Sequence, residues 1–117
     1  MTKTIKSGIR AKIARGSAEL AILSLLAKDS LYGFEIAKRI EEESGGALKF
    51  KLASLYPMLY ELEKRGWVKG QWQTNRAGRD RRYYSLTPAG RKQLKPLRRE
   101  WHSFFQALDR LAGVSDA

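Results

Sequence analysis

The residue types that most often carry catalysis are scarce in this sequence. There is no cysteine, histidine occurs once, at His102, and the acidic residues are scattered. No thiolate nucleophile, disulfide or cluster with metal-ligand spacing can be assembled from them. A glycine-rich phosphate loop is absent as well. An enzyme is therefore the least favoured class, and no cofactor or metal is expected. What the sequence does offer is cationic chemistry. Its 23 Lys plus Arg against 12 Asp plus Glu give a formal charge of +11, and such an excess favours a polyanion, because each neutralised phosphate releases counterions. Arg76, Arg79, Arg81 and Arg82 fall close together, opposed only by Asp80. A planar, weakly hydrated guanidinium suits phosphate clamping or insertion into a minor groove, and Arg79, beside Gly78, is the leading contact. Lys49 and Lys51 are of the phosphate-positioning kind. The same charges can also serve solubility alone, and charge does not separate DNA from RNA.

The scaffold for these side chains is legible in the apolar period. Ser17 reads as an N-cap with Glu19 in the first turn, and Leu20, Ile22, Leu23 and Leu26 predict a helix to near Asp29-Ser30. A second helix is predicted from about Leu31 to Ser44, with Phe34, Ile36, Ala37 and Ile40 toward the core and Gly45-Gly46 as its stop. A third begins between Leu52 and Ser54 and reaches Arg65 before Gly66. Pro57 belongs to about its first turn, where a missing N–H costs least. The period then shifts: Trp67 to Gln73 and Arg81 to Leu86 read as strands joined by a polar loop, a hairpin with a basic tip. Thr87-Pro88 supplies a cap and a first-position proline for a long helix to about Ala112.

The fold class is thus mostly α with a small β-hairpin: a winged helix-turn-helix plus a C-terminal dimerisation helix. Residues 1–16 form a basic arm or an extra helix, 17–87 the winged domain, 88–112 the appended helix and 113–117 a flexible tail. The arm carries Lys3, Lys6, Arg10, Lys12 and Arg15 with no acid, and either DNA or another subunit is its partner. No apolar run approaches the roughly 20 residues that span a bilayer, and no secretory signal is evident. A cytoplasmic location without a membrane partner is expected.

At about 100° per residue, Leu55, Leu59 and Leu62 share one face of the third helix, flanked by Met58 and Arg65. Ala53, Tyr56, Pro57, Tyr60 and Lys64 fall opposite, on the face a recognition helix offers to the major groove. Outward tyrosines can bond a phosphate or base edge while packing on a sugar or a thymine methyl; alternatively, either ring packs back on the domain. Ser54 is a helix cap or a phosphate ligand. In the last helix Leu94, Leu97, Trp101, Phe104, Leu108 and Leu111 keep the spacing of a coiled-coil seam, which Phe105 widens. So small a domain cannot cover the whole stripe. A second copy is expected to cover part, with Trp101 near the two-fold axis and some of the stripe on the partner's first helix; packing across the chain's own first helix would also bury part, and both are expected. Pro96 deletes the bond to the Lys92 carbonyl and predicts a bend over 92–96, not a break. His102 is expected to bond locally.

Four stretches in order resemble the PadR-type regulators, specifically short members with one C-terminal helix. They are Leu20 to Leu26, Leu31-Tyr32-Gly33-Phe34-Glu35-Ile36, Ser54-Leu55-Tyr56-Pro57 with Leu62 to Gly66, and Gly78 to Gly90. The resemblance implies a homodimeric repressor of a roughly palindromic operator, released by a ligand or another cue. It implies that Tyr32, Ser54, Tyr56, Pro57 and the wing arginines, Arg76, Arg79 and Arg81 among them, face double-stranded DNA. Trp101 resembles a tryptophan that lines an opening for small planar aromatic effectors. The basic arm and Pro96 depart from the simplest members. The rival reading is a winged helix used for RNA binding or protein interaction without operator specificity.

Overall fold

The first apolar stretch is helical over 16–26 (α1), and the computed structural model describes residues 16–113. The expected arm before Gly16 and tail after Gly113 lie outside the described residues. Ala18, Ile22, Leu23, Leu25 and Leu26 bury one side of α1. Gly16 is already helical, so Ser17 is not the flanking N-cap expected of it: a cap residue stands outside helical geometry.

The second helix starts later than its sequence period suggests. Leu31–Tyr32 extends as β1 and pairs antiparallel with Tyr84 and Tyr83, and α2 spans Gly33–Glu43. The Glu35 carboxylate accepts the Tyr32 N–H at 3.3 Å, half of a capping box that fixes this entry point. Phe34, expected in the core, is 56% exposed, because two residues at 100° each place it across the helix from buried Ile36. Gly45 and Gly46 take left-handed φ of 64° and 84° and stop α2 as expected.

α3 spans Leu52–Lys64. Leu55, Leu59 and Leu62 are fully buried on the predicted stripe. The helix ends in a Schellman motif: Gly66 has φ 80°, its N–H bonds the Glu63 carbonyl, and the Trp67 N–H bonds that of Leu62. Pro57 is the sixth residue of α3 rather than a first-turn residue. It removes the bond that the Ala53 carbonyl would accept, and both residues are exposed, so water can replace the lost partner.

The hairpin joins β2 (Val68–Thr74) to β3 (Asp80–Leu86), paired from Val68↔Leu86 to Thr74↔Asp80. Together with β1 it makes a three-stranded antiparallel sheet in the order β1-β3-β2. α4 then runs from Pro88 to Ala112 without a break at Pro96. Its cap is as predicted: the Thr87 hydroxyl oxygen accepts the Gly90 N–H at 3.0 Å and donates to the Gly66 carbonyl at 2.6 Å. That second bond ties the end of α3 to the start of α4. Gly90 is buried so tightly that a Cβ would stand 2.1 Å from the Trp67 carbonyl oxygen.

Ile22, Leu23, Ile36, Leu55, Leu59, Leu62 and Val68 form the centre of the core, and Leu94 joins them from α4. α1, α2, α3, the sheet and the first turns of α4 therefore share one interior, with the outer face of α3 and the hairpin tip left over.

Candidate nucleic-acid interface

The outer face of α3 is presented as its period requires. Tyr56 and Tyr60 are 47% and 64% exposed, and Ala53, Ser54, Pro57 and Lys64 are exposed beside them. The Lys64 ammonium stands 6.0 Å from the Tyr60 ring centre, so one patch offers a cation, a hydroxyl and an apolar ring. Tyr56 combines the two alternatives open to it: it is half exposed, yet its ring and hydroxyl lie over Gly33, where a Cβ would come within 2.6–2.7 Å. The first glycine of α2 thus gives Tyr56 its seat. Ser54 is the third residue of α3, whose N-cap is Lys51, so the capping role falls away. Lys49 and Lys51 are exposed just before the helix.

The hairpin tip is built locally. The Asn75 side-chain oxygen accepts the N–H groups of Ala77 and Arg79 at 3.0 Å each, and Gly78 takes φ 78°, a left-handed conformation suited to glycine. The Asp80 carboxylate accepts the Thr74 hydroxyl. Among the described residues, Arg76, Arg79 and Arg81 enter no ion pair. The Arg81 guanidinium lies 4.3 Å from the Tyr32 ring centre, and Tyr32 meets Tyr83 edge-on at 5.5 Å. Such a cation–π contact orients the guanidinium without neutralising it.

Arg82 departs from the pattern expected of the wing arginines. It crosses over Gly70 to pair with the Glu63 carboxylate on α3, which also accepts the Gly70 N–H at 3.3 Å. Arg82 is thereby a strut between wing and recognition helix. A Cβ at Gly70 would lie 2.5 Å from the guanidinium, so any side chain there would push Arg82 out of this pose. Behind the strut, burial pushes the Tyr84 phenol above its ordinary value, against the opposing pull of Arg82; the ring stays neutral in the sheet.

β1 is only two residues long, so β3 continues past it. An open trough of about 710 Å³ lies between the wing and the first turns of α2 and α3, lined in part by Tyr32, Phe34, Tyr56, Trp72, Arg79 and Arg81. Phe34 and Trp72 were missed as site residues in the sequence reading. Trp72 is 67% exposed, and its signal was available: with Val68 and Gly70 it alternates along β2, three positions that share one sheet face. One acid lies among these cations: Asp80 also lines the trough, with its carboxylate engaged by the Thr74 hydroxyl. Glu43 sits at the end of α2, where Arg39 bonds it at 2.8 Å and holds its carboxyl below the ordinary value. Arg39 also reaches Asp29 at 3.6 Å.

The α4 stripe divides in two. Leu94 is 4% exposed within the chain's own core and Leu97 packs against that core, so Leu94, expected in the dimer seam, has no surface to offer a partner. Trp101 lies against Gly16 of its own α1, where a Cβ would be 2.8 Å from the indole. This end of the stripe thus packs at least in part within the chain itself. Beyond it Phe104, Phe105, Leu108 and Leu111 are exposed by 45%, 49%, 46% and 87%. Phe104 and Phe105 have ring centres 5.8 and 5.4 Å from that of Trp101.

Three helices, a basic hairpin and an exposed recognition face define a winged helix-turn-helix protein of the transcription-regulator class. The chain belongs to the PadR-like family: the model described as "Transcriptional regulator PadR-like family" matches residues 22–96. It is 30% identical over 101 residues, 86% of its length, to "Uncharacterized protein X" of Lysinibacillus sphaericus, covering 93% of that protein. It is 31% identical over 74 residues, 63% of its length, to the "Negative transcriptional regulator PadR" of Bacillus subtilis, and this match spans 41% of that protein. Among solved structures it resembles a transcriptional regulator from Clostridium thermocellum (TM-score 0.76, 31% identity, 85% of this chain and 93% of that one). It also resembles a PadR family transcription regulator from Clostridium difficile (TM-score 0.71, 27% identity, 81% and 97%). Family membership implies that the chain binds DNA. Among the described residues, no helix is long and apolar enough to cross a membrane.

Proposed function

We propose that the chain is a homodimeric repressor that reads a palindromic operator with α3 and clamps the flanking phosphates with its wing. The observation that carries this is the outer face of α3, where Tyr56, Tyr60 and Lys64 stand exposed beside Lys49, Lys51 and the unpaired Arg76, Arg79 and Arg81. In this reading Tyr60, Pro57 and Ser54 meet base edges and sugars in the major groove, whereas Tyr32, Tyr56, Lys49, Lys51 and the arginines bind the backbone. Repression follows from occupancy of the operator, and the name of the Bacillus subtilis relative gives the same sign.

Dimerisation uses the exposed half of α4. Phe104, Phe105, Leu108 and Leu111 form a stripe that the domain leaves uncovered, and a second copy supplies the matching stripe around a two-fold axis. The Trp101, Phe104 and Phe105 cluster is a suitable seat for a small planar aromatic effector, whose binding would shift the spacing of the two recognition helices and release the operator.

The test is selection of genomic fragments with the full chain, followed by competition against RNA of equal length. A short inverted-repeat duplex that RNA does not displace is the expected result. Equal competition by RNA would instead support an RNA-binding module.

A further inference from the structure

We propose that the trough between wing and recognition helix holds the sugar–phosphate strand that separates the two grooves, with Phe34 and Trp72 packed on deoxyribose and the arginines on phosphate. This rests on the DNA-binding reading and adds an apolar half to it. With α3 in the major groove and the wing over the minor groove, one backbone strand must pass between them, and the trough is the space between those two elements. Its floor is apolar in a way phosphate binding alone does not explain: Phe34, Tyr56 and Trp72 are 56%, 47% and 67% exposed there. Large rings left open to water on a protein this basic fit a surface that meets something both apolar and anionic. Deoxyribose presents C–H faces and its phosphates present charge, and both lie along one strand. Arg79 and Arg81 both line the trough and enter no ion pair among the described residues, Arg81 is held over the Tyr32 ring, and the Asp80 carboxylate between them is taken up by the Thr74 hydroxyl, so the cations are poised beside the rings. Arg82, which also lines the trough, ties the wing to α3 through Glu63.

The two halves separate by salt. An apolar contact releases no counterion, whereas a phosphate contact does. Trp72→Ala and Phe34→Ala should each lower affinity for the selected duplex by roughly tenfold while leaving the slope of log affinity against log salt unchanged. Arg79→Ala should lower that slope by about one. Both rings are exposed, so folding should survive, and thermal melts of the variants check it. Oxidative footprinting of the full chain read by mass spectrometry should show Trp72 protected by the duplex. Wild-type affinity in Trp72→Ala together with unprotected Trp72 would overturn the inference and leave the DNA-binding reading standing. Protection of Trp72 by naphthalene-2-carboxylate but not by duplex would also overturn it, by assigning the trough to a small aromatic anion. If the wild-type chain binds no duplex at all, the broader reading fails and takes this inference with it.

Discussion

Tyr56 serves two neighbours at once, Gly33 behind it and the open surface in front, and that makes Gly33 the residue through which it can be moved. A Cβ at position 33 would collide with the tyrosine ring and hydroxyl, both at the far end of a rotatable side chain. Gly33→Ala should therefore re-aim Tyr56 and lower duplex affinity several-fold while changing stability by no more than about 1 kcal/mol, as chemical denaturation would show. Tyr60 is 64% exposed with the Lys64 ammonium beside its ring, so Tyr60→Ala should cost roughly tenfold in affinity and leave the melting temperature within a few degrees. The outward placement of Tyr60 was legible from its 100° spacing against Leu55, Leu59 and Leu62. The half-turned pose of Tyr56 was not, because it depends on a glycine 23 positions away in sequence. The same holds for Arg82: four arginines in one hairpin look equivalent in sequence, and only the opposite glycine and Glu63 on α3 single one out as a strut.

At the scale of elements, most boundaries followed from local rules. Thr87-Pro88 capped α4, Gly66 closed α3, and Gly45-Gly46 stopped α2. Leu31–Tyr32 is the instructive exception. Its apolar pattern continues into α2, and extended geometry wins only because Tyr83 and Tyr84, fifty residues later, offer a strand to pair with; tertiary pairing overrides local propensity. The junction of wing and α4 depends on Gly90 in a way no period reveals. Its missing Cβ would meet the Trp67 backbone, which cannot swing aside as a side chain does. Gly90→Ala should destabilise the domain by about 3 kcal/mol, visible as a lowered denaturation midpoint with an unchanged m-value.

For the whole molecule, the division of α4 decides how two copies can meet. Its first turns are fixed in the core through Leu94 and Trp101 rests on Gly16, while the segment from Phe104 onward is exposed and is the part that the proposed dimer would pair. Heptad spacing left open which part of the stripe meets the chain's own domain and which part a second copy, since period cannot tell a seam from a core contact. Leu108→Glu should turn a dimer into a monomer at micromolar concentration in light scattering, without loss of helicity by circular dichroism, because the residue is 46% exposed in the isolated chain. Leu94→Ala should instead cost about 2–5 kcal/mol of stability, the range for a truncated core leucine.

In the dimer proposed above, two winged domains read DNA through the outer faces of their α3 helices. Hydroxyl-radical footprinting of the selected duplex tests it most directly. Two protected patches are predicted, related by a two-fold axis and centred about 10 base pairs, or a multiple, apart, with both patches lost together in the Tyr56→Ala, Tyr60→Ala double variant. Protection that is uniform along the duplex, or that persists unchanged in that variant, would contradict the account.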